Sequence, residues 1–169
     1  MEIKKLFLKA NDEASCDVIS SLLQDSIFHI TSHSFHEDKK CLRLMLNRFC
    51  WELLSAEDHD NYENDNNNAH IIIQNIHNQI EKNPYKKCYF RVHSGLYIHN
   101  VQSVSINDNF KDILKERYLN LLAMHATGNE ISILFSGHKN VCVKVDQLNV
   151  YLKDLHDRYP TPTRSIHNI

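Results

Sequence analysis

Twelve histidines in this chain make metal chemistry the first possibility to weigh against spacing. His29 and His33 can share one face of a strand, and His33-x-x-His36 spans a strand end and a turn. A zinc site needs three or four converging donors, usually with tight local pairs. No second histidine pair stands at ligand spacing, and the five cysteines (Cys16, Cys41, Cys50, Cys88, Cys142) are scattered without a Cys-x-x-Cys. The expectation is surface histidines, no metal and no cofactor. A cysteine nucleophile needs a histidine neighbour and an electropositive, partly exposed setting. The regular patterning around these cysteines favours burial as small apolar groups instead. Only three glycines are present, too few for a phosphate-cradling loop or a dinucleotide-binding turn, and no Gly-x-Ser-x-Gly elbow occurs. The chain is expected not to be an enzyme.

The polar group with the most to offer is Asp25 with Asn47, Arg48, Trp51 and Glu52. Asp25 falls where a first helix ends, and Asn47 to Glu52 close a strand. Trp51 there can stack on a ligand while Arg48 grips an anion. The competing assignment is structural: Arg48 pairs with Asp25 or Glu52, and Trp51 plugs the edge of the core. Paired buried arginines and anchoring tryptophans are common, so the structural assignment is favoured. Arg91 completes the candidate binding residues.

Basic residues form two small groups, Lys39, Lys40 and Arg43, and Lys86, Lys87 and Arg91. If these strand starts were neighbours they would make a modest patch facing RNA, with Tyr85, Tyr89 or Phe90 for stacking. Against it, Lys plus Arg is 19 and Asp plus Glu 21, a net charge of −2. Nucleic acid is therefore the less expected partner, and a protein or small ligand the more expected one. Scattered cysteines in odd number suit a reducing compartment. No signal-peptide stretch fits the start, and no apolar run approaches the ~18 residues of a membrane span. A cytosolic, non-membrane protein is expected.

Positioning these residues falls to a helix and a series of strands. Asp12 to Gln24 has Val18, Ile19, Leu22 and Leu23 at helical spacing, with Asn11 or Asp12 as cap. Ile27 to His33 and Cys41 to Trp51 read as strands joined by a turn at residues 36–39. The second has Leu42, Leu44 and Leu46 on one face but Phe49 and Trp51 on the other. Either a bulge near Asn47-Arg48 joins the two phases, or both faces are partly covered. Residues 53–68 form an acidic, Asn-rich insertion, and Ile72, Ile73, Ile76 and Ile80 predict a short helix over 69–81. Strands follow at Cys88–Ile98, Val101–Ile106, Tyr118–Thr127, Glu130–Ser136 and Val141–Val145, the last three joined by turns at Gly128 and Gly137. Leu148, Tyr151, Leu152 and Leu155 predict a closing helix capped by Asp146.

The fold class is therefore α+β: a curved, mainly antiparallel sheet of about six or seven strands with an N-terminal helix and a closing C-terminal helix. That element order also suits a pleckstrin-homology-like barrel. Residues 1–159 form one domain, and 160–169 an extended, frayed tail.

Several stretches resemble an alphaproteobacterial family, domain of unknown function 2948. They are Val18-Ile19-Ser20, Leu23-Gln24-Asp25-Ser26, Leu46-Asn47-Arg48-Phe49-Cys50-Trp51-Glu52, Arg91-Val92-His93-Ser94-Gly95-Leu96 and Leu121-Leu122-Ala123-Met124. The resemblance implies a cytosolic, alphaproteobacterial origin and carries no activity. The chain is expected to be a non-enzymatic binding or adaptor domain, with a small enzyme or an RNA-binding module as the alternatives.

Overall fold

The computed structural model describes residues 5–53, 89–107 and 117–162. The acidic insertion beyond Leu53 and the predicted helix over 69–81 lie outside them.

Helix α1, Glu13–Leu23, begins at Asp12, whose extended backbone lets its carboxylate accept the Ser15 N–H at 2.7 Å. That bond satisfies one of the amides a helix start leaves open. Its buried stripe is Cys16, Ile19 and Leu23, while Val18 points out, 55% exposed. The helix stops as Gln24 turns extended and Asp25 adopts a left-handed φ of 58°.

Among the described residues ten strands form one antiparallel sheet. They are β1 Phe7–Ala10, β2 Ser26–His36, β3 Cys41–Phe49, β4 Tyr89–Ile98, β5 Val101–Ile106, β6 Tyr118–Thr127, β7 Glu130–Phe135, β8 Lys139–Val145, β9 Val150–Asp154 and β10 Tyr159–Thr161. The order is β1-β9-β4-β3-β2-β6-β7-β8-β5, with β10 paired to β4 beside β9. The outermost strands, β1 and β5, do not pair with each other, so the sheet is not closed.

The sheet nonetheless curls. Helix α1 packs against both β1 and β6, which stand five places apart in the strand order. In a flat sheet that separation would be about 24 Å, at least twice a helix diameter. Curling brings Leu96 and Leu152 from one half into a single core with Leu121, Ile133 and Val143 from the other.

Two expectations are corrected. Residues 146–156 do not form a closing helix: a turn follows Asp146, and residues 150–154 are strand β9, paired to both β1 and β4. Val150, Leu152 and Asp154 are buried while Tyr151 and Lys153 face outward, so the segment carries a period of two beneath its helical spacing. Free edges on β4 and β1 select that period, because a strand here satisfies backbone groups on three strands at once. With the closing helix gone and the sheet unclosed, the pleckstrin-homology comparison loses its basis. The strand count rises from seven to ten through β1, β9 and β10. The last places Pro160 opposite Phe90, on an edge where its missing N–H is tolerated.

Strand β3 resolves its own ambiguity. It pairs with β4 without interruption from Leu42 to Phe49, so no bulge occurs at Asn47-Arg48. One face is covered throughout and the other in part: Leu42, Leu44, Leu46 and Arg48 point to the core, while on the opposite side Phe49 is buried and Met45 exposed.

Candidate functional site

Arg48 continues the core-facing row of β3, so a guanidinium arrives where an aliphatic side chain would be ordinary. Its side chain is fully buried. Nη1 and Nη2 bond the two Glu52 oxygens at 2.8 and 3.0 Å. Nη2 also lies 3.2 Å from each Asp154 oxygen. Asp154 accepts the Ser94 hydroxyl at 2.7 Å and the Leu6 N–H at 3.2 Å. Burial opposes the charge on Arg48, but the Glu52 bond and the two carboxylates outweigh it and raise its pKa. Arg158 adds a second cation 3.6 Å from Glu52.

The other face of the same strands carries a second cluster. Phe49 is packed by Trp51 at 4.6 Å and Tyr89 at 6.0 Å between ring centroids, with the Arg91 guanidinium 5.6 Å over its ring. The Trp51 indole N–H donates to Gln24 O at 2.9 Å, and Arg91 Nη1 donates to Asn47 O at 3.0 Å and Asp25 O at 3.4 Å. The Gln24 and Asp25 carbonyls, just past the helix end, thereby gain partners at the α1–β2 corner. The Tyr159 hydroxyl donates to Asn47 Oδ1 at 2.8 Å. Burial pulls the Arg91 pKa below its ordinary value.

The six candidate residues thus divide between two faces. Arg48 and Glu52 belong to the core network, while Asn47, Trp51 and Arg91 meet at the α1–β2 corner through the carbonyls of Gln24 and Asp25. Arg48 takes Asp154 rather than Asp25 as its second carboxylate. Asp154, Ser94 and Tyr159 were not found from the sequence. Asp154 fell inside the segment read as a helix, where its phase with Leu152 carried no meaning.

Beyond Arg91 the outward face continues across four strands in register. Arg43 stands beside Tyr97, Tyr97 beside Tyr151, and Tyr151 beside Lys9. In the next row Met45, Gly95, Lys153 and Phe7 are neighbours. Tyr97 lies across Gly95: a Cβ at that glycine would come within 2.6 Å of its ring. At the β2 side, where β2 is irregular between Phe28 and His33, residues 31–34 and Arg43, Met45 and Tyr97 border a depression of about 350 Å³. Of the second sequence group of cations, Lys86 and Lys87 lie outside the described residues. In the antiparallel β3–β4 pair, Arg43 and Arg91 stand at opposite ends of one face.

His29 Nδ1 meets the Thr31 hydroxyl at 2.7 Å and His33 Nδ1 meets Ile30 O at 2.8 Å, so each histidine engages its own strand. Among the described residues no three His, Cys, Asp or Glu side chains converge as a metal site, and no helix is long and apolar enough to cross a membrane.

An unclosed ten-stranded antiparallel sheet, curled over one helix and fastened by a buried arginine–carboxylate network, defines the structural class. The chain belongs to the family described as protein of unknown function DUF2948, which matches residues 6–167. No curated protein and no solved structure matches the chain.

Proposed function

We propose that this is a cytosolic, non-enzymatic binding domain that engages its partner through the outward face of β3, β4, β9 and β1. The observation that carries this reading is the composition of that face. Rings and cations occupy most of its outward positions, beside Met45, Asn47 and Gly95, and no Asp or Glu does. Phe7 is 60% and Met45 42% exposed there, and clustered exposed rings beside cations characterise recognition surfaces. Asn47, Trp51 and Arg91 border the face at one end, and Arg48 with Glu52 holds its strands from behind. Thiols rather than disulfides at Cys16, Cys41, Cys50 and Cys142 support the cytosolic assignment.

A photo-crosslinking residue at Met45, compared with one at Val18 on the helix, tests this in the producing cell. A discrete adduct is expected at Met45 alone. Excess unmodified protein should compete it away, and excess Lys9→Glu/Lys153→Glu protein should not. Equal adducts at both positions, or none at Met45, would sink the proposal.

A further inference from the structure

We infer that this face binds single-stranded nucleic acid, an inference that rests on the face being the binding surface. The whole-chain charge of −2 argued against such a partner, but the fold segregates the charges. Lys9, Arg43, Arg91 and Lys153 all occupy outward positions of β1, β3, β4 and β9. Several nearby carboxylates are engaged elsewhere: Asp154 points into the core, Glu52 bonds Arg48, Asp12 caps α1, and Asp157 pairs with Lys5 at 3.3 Å.

Among the described residues Lys9, Arg43 and Lys153 form no ion pair. Two of them lie over rings instead: Lys9 Nζ is 5.5 Å from the Tyr151 centroid and Arg43 Cζ is 5.8 Å from that of Tyr97. The Arg43 Nε is buried without a hydrogen-bond partner. With no carboxylate among the described residues in an ion pair with it, the Arg43 charge is available to an anion.

The order of groups favours one ligand class. Across four strands the row reads cation, ring, ring, cation: Arg43, Tyr97, Tyr151, Lys9. Three strand spacings make it about 14 Å long. The far end of the Tyr97 side chain reaches over Gly95, the one glycine of the chain in a strand, whose missing Cβ leaves it room; the other two glycines occupy turns. Rings on an open sheet face are suited to stacking with a planar group. An acidic peptide would use the cations and leave the rings idle, and a duplex keeps its base faces buried. Unpaired nucleotides present both a planar face and a phosphate at each step, the combination that stacking platforms flanked by basic residues recognise.

The test is fluorescence anisotropy on the full chain with labelled mixed-sequence single-stranded RNA, the same sequence as DNA, the duplex, and polyglutamate. Binding of one or both single strands at least about tenfold tighter than duplex or polyglutamate is expected, and the RNA and DNA arms identify the natural source. Lys9→Ala/Lys153→Ala, at exposed positions where the fold is not at stake, should lower the slope of log affinity against log salt by about 1.4, roughly 0.7 for each lost phosphate contact. Tyr151→Ala should weaken binding about tenfold without changing that slope. Polyglutamate binding as tightly as the single strands would overturn the inference, as would preference for duplex. Absence of all oligonucleotide binding alongside a persisting Met45 adduct would overturn it too and leave the binding-domain reading intact. Loss of both would remove both.

Discussion

The Arg48 guanidinium lies 3.2 Å from both carboxylate oxygens of Asp154, a residue 106 positions later in the chain. Their side chains are 0% and 1% exposed, so each depends on the other to be tolerated inside the core. The contact joins β3 to β9 across β4, which lies between them. Arg48→Met should destabilise the protein by ~3–5 kcal/mol, because Asp154 is left charged and buried. Adding Asp154→Asn should recover part of that loss, since the amide needs no counter-ion. Urea unfolding of the two single variants and the double variant measures the coupling. An Arg48→Met variant within about 1 kcal/mol of wild type would contradict the network's structural role.

Trp51 fastens the end of β3 to the end of α1. Trp51→Phe keeps the packing on Phe49 but removes the N–H that reaches Gln24 O, and should cost ~1 kcal/mol. Trp51→Ala should cost more, yet less than the ~3–5 kcal/mol of a fully buried ring, because Trp51 is only half-buried. As the chain's single tryptophan, it also reports on its surroundings. Arg91→Ala, which frees the Asn47 and Asp25 carbonyls, should shift its emission to the red. Unchanged emission would show that Arg91 does not hold the corner.

Gly95 and Tyr97 should behave as one unit. A Cβ at Gly95 meets the far end of the Tyr97 side chain at 2.6–2.9 Å, so the ring must swing away. Gly95→Ala should therefore cost ~1–2 kcal/mol in wild type, and close to nothing when Tyr97 is already Ala. A double-mutant cycle by thermal melting reads this directly. Additive losses would mean that backbone, not the ring, makes glycine necessary here.

How far the sequence carries can be judged at particular residues. Helix α1 and the hairpins at Gly128 and Gly137 were legible because capping and left-handed turns are local chemistry: Asp12 bonds Ser15, and Gly128 takes a φ of 56°. Strand β9 was not, since five residues carrying both a helical and an alternating period are decided by which edges wait for a partner. The candidate group at Asn47–Glu52 is legible as a cluster, and Arg48–Glu52 is one of the pairings its sequence allows. Its partner Asp154 was hidden, because a pairing across 106 residues has no local signal. The outward face was invisible for the same reason. Arg43, Tyr97, Tyr151 and Lys9 come from four strands, and only their register makes a row of them.

Two buried thiols should make stability fall in alkali. Burial raises Cys16 to about 11 from an ordinary 9.0, helped by the nearby Asp12, Asp17 and Glu13. Burial likewise raises Cys50 to about 11, against the opposing pull of Arg48. In the unfolded chain both thiols ionise near pH 9.0, while the folded chain keeps their protons until about 11. The native state therefore binds more protons in this window. The contribution is present in full below pH 9 and is lost as pH rises toward 11, at up to ~1.4 kcal/mol per pH unit for each thiol. Cys16→Ala and Cys50→Ala lower stability at every pH through lost packing, so slope rather than level is the readout. Urea unfolding across the window should show each variant with a shallower decline than wild type, and the double variant shallower still. Parallel slopes for all four proteins would mean that these thiols ionise in the fold as readily as out of it.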